Sequence, residues 1–288
     1  MSRFARRSSH LRTAVIAFAA VCAACAGAAA EPLAALDKLA GGLREIAAGA
    51  PLERYGDGLL TVPGEGVVVE VRFGSVAAAR TAEFRSLGAR RHMWRGEMVQ
   101  VVAPPSSLMA IAALPEVTEV APPARLIPCQ TTVGYGSVVS EGVQLTSANS
   151  MQASGYQGTN CKIAIIDAGF AGLDDAEVPS SALVLSMRAD GSTTASAHGT
   201  AMAETVADMA PGASLTLIAA DTVSAIQFAI DYVVSNNFRV AVMGLVVVVG
   251  PFDGTHTLAR AVDSAASSGV LWVQAAGNFA KRHWTGVY

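Results

Sequence analysis

The residues best suited to chemistry in this chain are an aspartate, a histidine and an asparagine, in that order. Asp167 ends an apolar run, Cys161-Lys162-Ile163-Ala164-Ile165-Ile166. His198 opens a stretch in which Ala201, Met202, Thr205, Val206 and Met209 recur at helical spacing. Asn278 follows Ala275-Ala276-Gly277. An imidazole titrating near neutrality can take a proton from a hydroxyl nucleophile and return it to a leaving group. A buried carboxylate beside it fixes the tautomer and stabilises the imidazolium. A side-chain amide beyond a strand can donate a hydrogen bond to an oxyanion. Together these are the parts of acyl-transfer chemistry, short of its nucleophile.

The elements that must hold them follow from the apolar pattern. From Cys161 onward the sequence predicts strands at 161–167, 215–220, 240–249 and 270–275. Helices are predicted at 198–210, 222–235 and 255–268, with a shorter one at 145–154. Pro211-Gly212 stops the first long helix, and Asp221 or Thr222 caps the next. Nearly continuous apolar strands separated by helices imply a parallel sheet covered on both faces. A strand-end aspartate and a helix-start histidine can then meet at the C-terminal edge of the sheet.

Three segments resemble signature blocks of the subtilisin-like serine peptidases, in that family's order. They are Ile165-Ile166-Asp167-Ala168-Gly169, His198-Gly199-Thr200 and Ala275-Ala276-Gly277-Asn278. The resemblance implies an α/β fold with a doubly wound, mostly parallel sheet, and hydrolysis of polypeptides through an acyl-enzyme. It implies that Asp167 orients His198, that His198 is the general base and acid, and that Asn278 stabilises the oxyanion. Ala168 departs from the Ser or Thr usual after this aspartate.

The fourth block, Gly-Thr-Ser with the nucleophile, is nowhere in the 288 residues. The sequence therefore allows two products. One is the N-terminal part of a working secreted peptidase. The other is a catalytically inactive chain that binds peptides or inhibits. A further alternative uses Glu204 and Asp208, four apart on the His198 helix. The related sedolisins, serine-carboxyl peptidases, use a Glu and an Asp at that spacing. Val242-Met243-Gly244-Leu245 stands where the family binds substrate backbone by strand addition, although its serine and glycine are displaced here.

The N-terminal half reads differently. Strands near 67–73, 91–94, 98–102 and 117–120, with helices at 76–87 and 106–114, give the order β-α-β-β-α-β of a small ferredoxin-like α+β unit. The helix at 106–114 is expected to be capped by serine. Residues 31–63 read as an Ala- and Gly-rich spacer or weakly packed lead-in with a helix near 34–48. The layout is similar to the propeptides of the family, which implies a segment 31–121 that assists folding and occupies the cleft of its own catalytic domain. An unrelated α+β domain has the same order. Residues 122–142 form a linker, and 143–288 the N-terminal part of the peptidase domain.

Arg3, Arg6, Arg7 and Arg12 precede an apolar run at 14–26, and Ala28-Ala29-Ala30 precede Glu31. That is the layout of a secretory signal peptide, residues 1–30, which implies a secreted or periplasmic product and membrane contact only through the leader. Cys129 and Cys161 then remain, either as two buried thiols or as a disulfide. The bridge would be worth about 3–4 kcal/mol in the chain-entropy account. A net charge of -3 offers no basic face, which argues against a nucleic-acid partner. No cofactor is expected and no metal-ligand cluster is apparent. Asp174, Asp175 and Glu177 make either an exposed acidic loop or a structural calcium site, since many subtilisin-like enzymes bind calcium.

Overall fold

A computed structural model describes residues 34–128, 139–248 and 250–279. The chain divides into two compact units, Met1–Pro122 and Pro123–Tyr288. The expected leader, residues 1–30, lies outside the described residues. No helix among the described residues is long and apolar enough to cross a membrane.

The first unit contains strands β1 (Thr61–Val62), β2 (Gly66–Phe73), β3 (Arg90–Arg95), β4 (Met98–Ala103) and β5 (Val117–Ala121). Its helices are α1 (Leu43–Ala47), α2 (Val76–Thr81) and α3 (Leu108–Ala112). All strand pairs are antiparallel. β2 lies between β5 and β4, β3 flanks β4, and β1 pairs with the start of β2. Val67, Val69, Val71 and Phe73 alternate onto one face, where they meet Val99, Val101 and Ala103 in the core.

Three expectations for this unit change. The lead-in is no loose spacer. Leu39, Leu43 and Ile46 are buried in the core, and Ala40 N donates to Val120 O at 2.8 Å. The helix was legible in the sequence, but the surrounding alanines and glycines gave no sign that it packs into the core. The helix expected at 76–87 ends at Thr81, and a separate 3-10 turn, Arg85–Leu87, leads to Gly88 at φ 70°. Ser107 makes no capping bond to α3. Its hydroxyl donates instead to Leu87 O.

The second unit contains β6 (Ile127–Pro128), α4 (Gly142–Leu145), α5 (Ala148–Ala153), β7 (Lys162–Asp167), β8 (Leu183–Ser186) and α6 (His198–Met209). It continues with β9 (Ser214–Ala219), α7 (Val223–Ser235), β10 (Val240–Met243), β11 (Leu245–Val246), α8 (Thr257–Ser267) and β12 (Leu271–Gln274). Five strands form a parallel sheet in the order β12-β10-β7-β9-β8. The chain starts at the central β7, builds one flank, then crosses to β10 and β12. The switch point falls between β7 and β10, where such sheets bind ligands.

Ala203 and Ala207 of α6 pack on one face against Ile163, Ile165, Leu215 and Leu217. Ala164, Ile166 and Ile218 alternate to the opposite face and are equally buried. Helix α7 packs against β7 and α8. Thr222 is its cap, accepting from Ala225 N at 3.1 Å.

The helix expected at 145–154 is two short helices, broken where Ser147 takes φ 60°. Strand β8, half-exposed and four residues long, gave no sequence signal. The run at 240–249 is not one strand. It stops at Met243, turns at Gly244, and resumes as β11, antiparallel to β6.

Truncating the lead-in tests its place in the core. Leu39→Ala should lower the stability of the first unit by about 2–5 kcal/mol, the range for emptying a buried leucine site. Urea melts of the full chain, followed by fluorescence of Trp94, measure this. An unchanged midpoint would return residues 34–47 to the status of a spacer.

Candidate active site

Asp167 is the last residue of β7 and has no solvent exposure. Its Oδ2 lies 2.7 Å from His198 Nδ1, and its Oδ1 accepts from Ala168 N at 2.8 Å. Burial pushes the Asp167 carboxyl above its ordinary range, while the bond to His198 pulls it back. Burial is the larger effect, so the carboxyl is raised on balance, and the two bonds offset part of the cost of its charge.

His198 begins α6, and its backbone N donates to Ser196 Oγ at 3.1 Å. The loop before it is stitched to the turn after Asp167. Phe170 N donates to Thr193 O at 2.6 Å, and Ala171 N to Ser196 O at 2.8 Å. Thr200 Oγ1 donates to Ala171 O at 2.8 Å. The Gly-Thr after the histidine thus has a structural role, docking the helix start on the end of β7.

Two glycines make the close approach feasible. A Cβ at Gly199 would stand 2.8 Å from Asp167 Cβ and 2.7 Å from Phe170 Cε1. A Cβ at Gly244 would stand 2.9 Å from His198 Cε1, and nearer still to Asp167 Oδ2 and Met202 Sδ. Gly244 sits where β10 ends, and its N donates to Ile166 O at 3.1 Å. The apolar strand read through this point had to break so that the chain could pass the dyad without a side chain.

Asn278 lies at an exposed bend beyond β12, on the edge of the sheet where β7 also ends. Glu204 and Asp208 hold backbone. Glu204 Oε1 accepts from Glu177 N at 3.3 Å, and Asp208 Oδ2 from Ser140 N at 2.7 Å. His198 is brought to Asp167.

Asp174 falls in a 3-10 turn, Leu173–Asp175. Among the described residues, no group of three or more His, Cys, Asp or Glu side chains is placed to hold a metal. Half-buried Cys161 precedes β7, but Cys129 lies outside the described residues. Sequence reasoning missed Arg188, Asp190 and the Asp221 side chain, which form an ion cluster beside Ala168. They belong to no local motif.

A doubly wound parallel sheet with a carboxylate–imidazole pair at its switch point defines the class of this unit, an α/β fold of the covered-sheet type. No family model matches the chain. Subtilisin DY from Bacillus licheniformis is 36% identical over 156 residues, covering 49% of this chain and 55% of that protein. Subtilisin E from Bacillus subtilis (strain 168) is 31% identical over 160 residues, covering 50% and 41%. The chain spans about half the length of the curated relatives it matches.

Among solved structures, fervidolysin from Fervidobacterium pennivorans, a keratinolytic enzyme related to subtilisin, gives a TM-score of 0.47 at 18% identity, covering 76% of this chain and 41% of that one. The epidermin leader peptide processing serine protease from Staphylococcus aureus gives 0.45 at 15%, covering 73% and 60%. By sequence the chain is similar to the subtilisins over about half of its own length.

Two measurements probe the dyad. Gly244→Ala should lower stability by about 1–3 kcal/mol, the usual cost of overpacking, and should part the imidazole from Asp167. A wild-type melting curve in the variant would contradict this packing. Because the folded Asp167 carboxyl is raised, its contribution to stability is fully present below the unfolded value and is lost as pH rises through the folded one. Wild type should therefore lose stability relative to D167N as pH rises from about 4. A wild type that gains stability relative to D167N as pH rises would reverse the sign.

Proposed function

We propose that this chain carries the base half of a serine-peptidase site and hydrolyses peptide bonds when a serine outside these 288 residues joins it. The observation that carries the reading is the 2.7 Å contact between His198 Nδ1 and a fully buried Asp167. With Nδ1–H donated to the carboxylate, Nε2 is the atom free to take a hydroxyl proton. The serine oxygen then attacks the peptide carbonyl, and the imidazolium returns the proton to the leaving amine. Asn278 donates to the oxyanion, and no cofactor enters these steps.

A polypeptide substrate is supported by the edge beside the dyad. Residues 124–128 run extended along it. Leu126 N donates to Asp221 O and Val223 N to Ala124 O, both at 3.2 Å. Ile127–Pro128 then pair antiparallel with Leu245–Val246. Asp221 lies just beyond β9, where Ala220 N donates to Asp167 O, and β11 follows Gly244. A stretch of this chain thus holds the place a peptide would take by strand addition. We take it as the start of the linker, 122–142, that follows an inhibitory propeptide, 31–121, in a product exported by the leader at 1–30. The same occupied edge, with no nucleophile in the chain, favours a second reading as a peptide-binding or inhibitory module.

The purified chain should leave casein intact and resist labelling by diisopropyl fluorophosphate. Labelling would show a nucleophile that the sequence does not. Reading the coding DNA past codon 288 and expressing the longer product separates the two functions. A product with a Gly-Thr-Ser block should cleave casein, and D167N should lower its kcat by roughly 10⁴. A stop with no such block would leave binding as the function.

A further inference from the structure

One cluster near the dyad takes no part in the proton transfers. Arg188 leaves β8 with its side chain only 11% exposed. Its Nε and Nη2 donate to the two oxygens of Asp190 at 3.0 and 2.6 Å. Its Nη1 lies 3.0 Å from Asp221 Oδ2 and donates to Ala168 O at 3.4 Å. One planar guanidinium therefore reaches the exits of three neighbouring strands: Ala168 after β7, Asp190 after β8 and Asp221 after β9. The fork geometry of arginine allows this, whereas a lysine would present one point charge.

Each arm ends on something the dyad needs. Ala168 N donates to Asp167 Oδ1, so the residue whose carbonyl Arg188 holds also orients the carboxylate. Asp190 Oδ1 also accepts from Ser192 N at 2.9 Å, which fixes the start of the loop that delivers His198. That loop is the one bonded to Phe170 and Ala171. Asp221 O receives Leu126 N of the extended segment. Burial of the guanidinium is what makes the fork restrictive: with little water at hand, its N–H groups have few partners other than these three.

We propose that Arg188 is a positioning residue that sets the register of Asp167 against His198 by clamping the turn after one and the loop before the other. The inference rests on reading Asp167–His198 as the catalytic pair, but its test needs neither substrate nor nucleophile. The Nδ1 proton of His198, bonded to Asp167, should give a low-field proton resonance in the full chain, assigned by its disappearance in H198Q.

In R188M that resonance should be lost, or its solvent exchange should quicken by roughly tenfold or more, as local opening becomes easier. R188M also leaves the Asp190 and Asp221 carboxylates without their shared guanidinium, and so risks the fold. R188M/D190N/D221N removes all three charges and leaves no such orphan. It should keep a cooperative melt and still show the same loss. If either variant folds and retains the His198 resonance with unchanged exchange, Arg188 is a structural ion pair and the proposal fails. Casein cleavage by a serine-bearing product would be untouched by that failure, so the two outcomes are distinguishable.

Discussion

The second unit depends on keeping a carboxylate inside a parallel sheet. Asp167 has no exposure to water, and an ion there is costly unless its oxygens are bonded. One oxygen takes the backbone N–H of Ala168 and the other the imidazole of His198. Much of the local architecture can be understood as the means of bringing that imidazole in. The strand order creates an opening at the end of β7. The loop before α6 is hydrogen-bonded to the turn after β7, so the helix start has little freedom to drift. The interaction that would do chemistry is thus also one that satisfies a buried charge.

That coupling bears on how the site relates to the peptide edge. Segments 221–223 and 245–246 flank the extended residues 124–128, and both belong to the frame of the dyad. Asp221 is tied through Arg188 to Ala168, and β11 begins directly after Gly244. Residues 124–128 and the imidazole therefore share supports. In the proposed peptidase this places backbone recognition and proton transfer in one rigid body, as positioning catalysis requires.

Part of this could be read from residue order alone. The strands that end in Asp167 and precede Asn278, and the helix from His198, stand out because apolar runs alternate with amphipathic stretches at lengths only a covered parallel sheet uses. His198 and Asp167 stand out because of their immediate neighbours. Three things were hidden for physical reasons. The run at 240–249 is apolar throughout, and a buried turn is as apolar as a buried strand, so the break at Gly244 left no trace in hydropathy. Leu39, Leu43 and Ile46 lie in an alanine background that shows a helix but not that its apolar residues enter the core. Arg188 and Asp221 meet only because β8 and β9 are neighbours in the sheet, a pairing no local pattern encodes. The spacing of Glu204 and Asp208 did not announce that their oxygens accept from the backbone of Glu177 and Ser140.

Gly199 and Gly244 have a consequence at the level of heredity. The space each leaves is filled by the dyad itself, so any Cβ there collides with Asp167 or His198 or with the groups packed on them. Every change at the first or second base of a glycine codon introduces a side chain or a stop. These two codons are therefore constrained as tightly as those of the ionisable pair, although neither encodes a group that could exchange a proton. Among drifting copies of this gene, they would be expected to vary only at their silent third base for as long as the pair itself is kept.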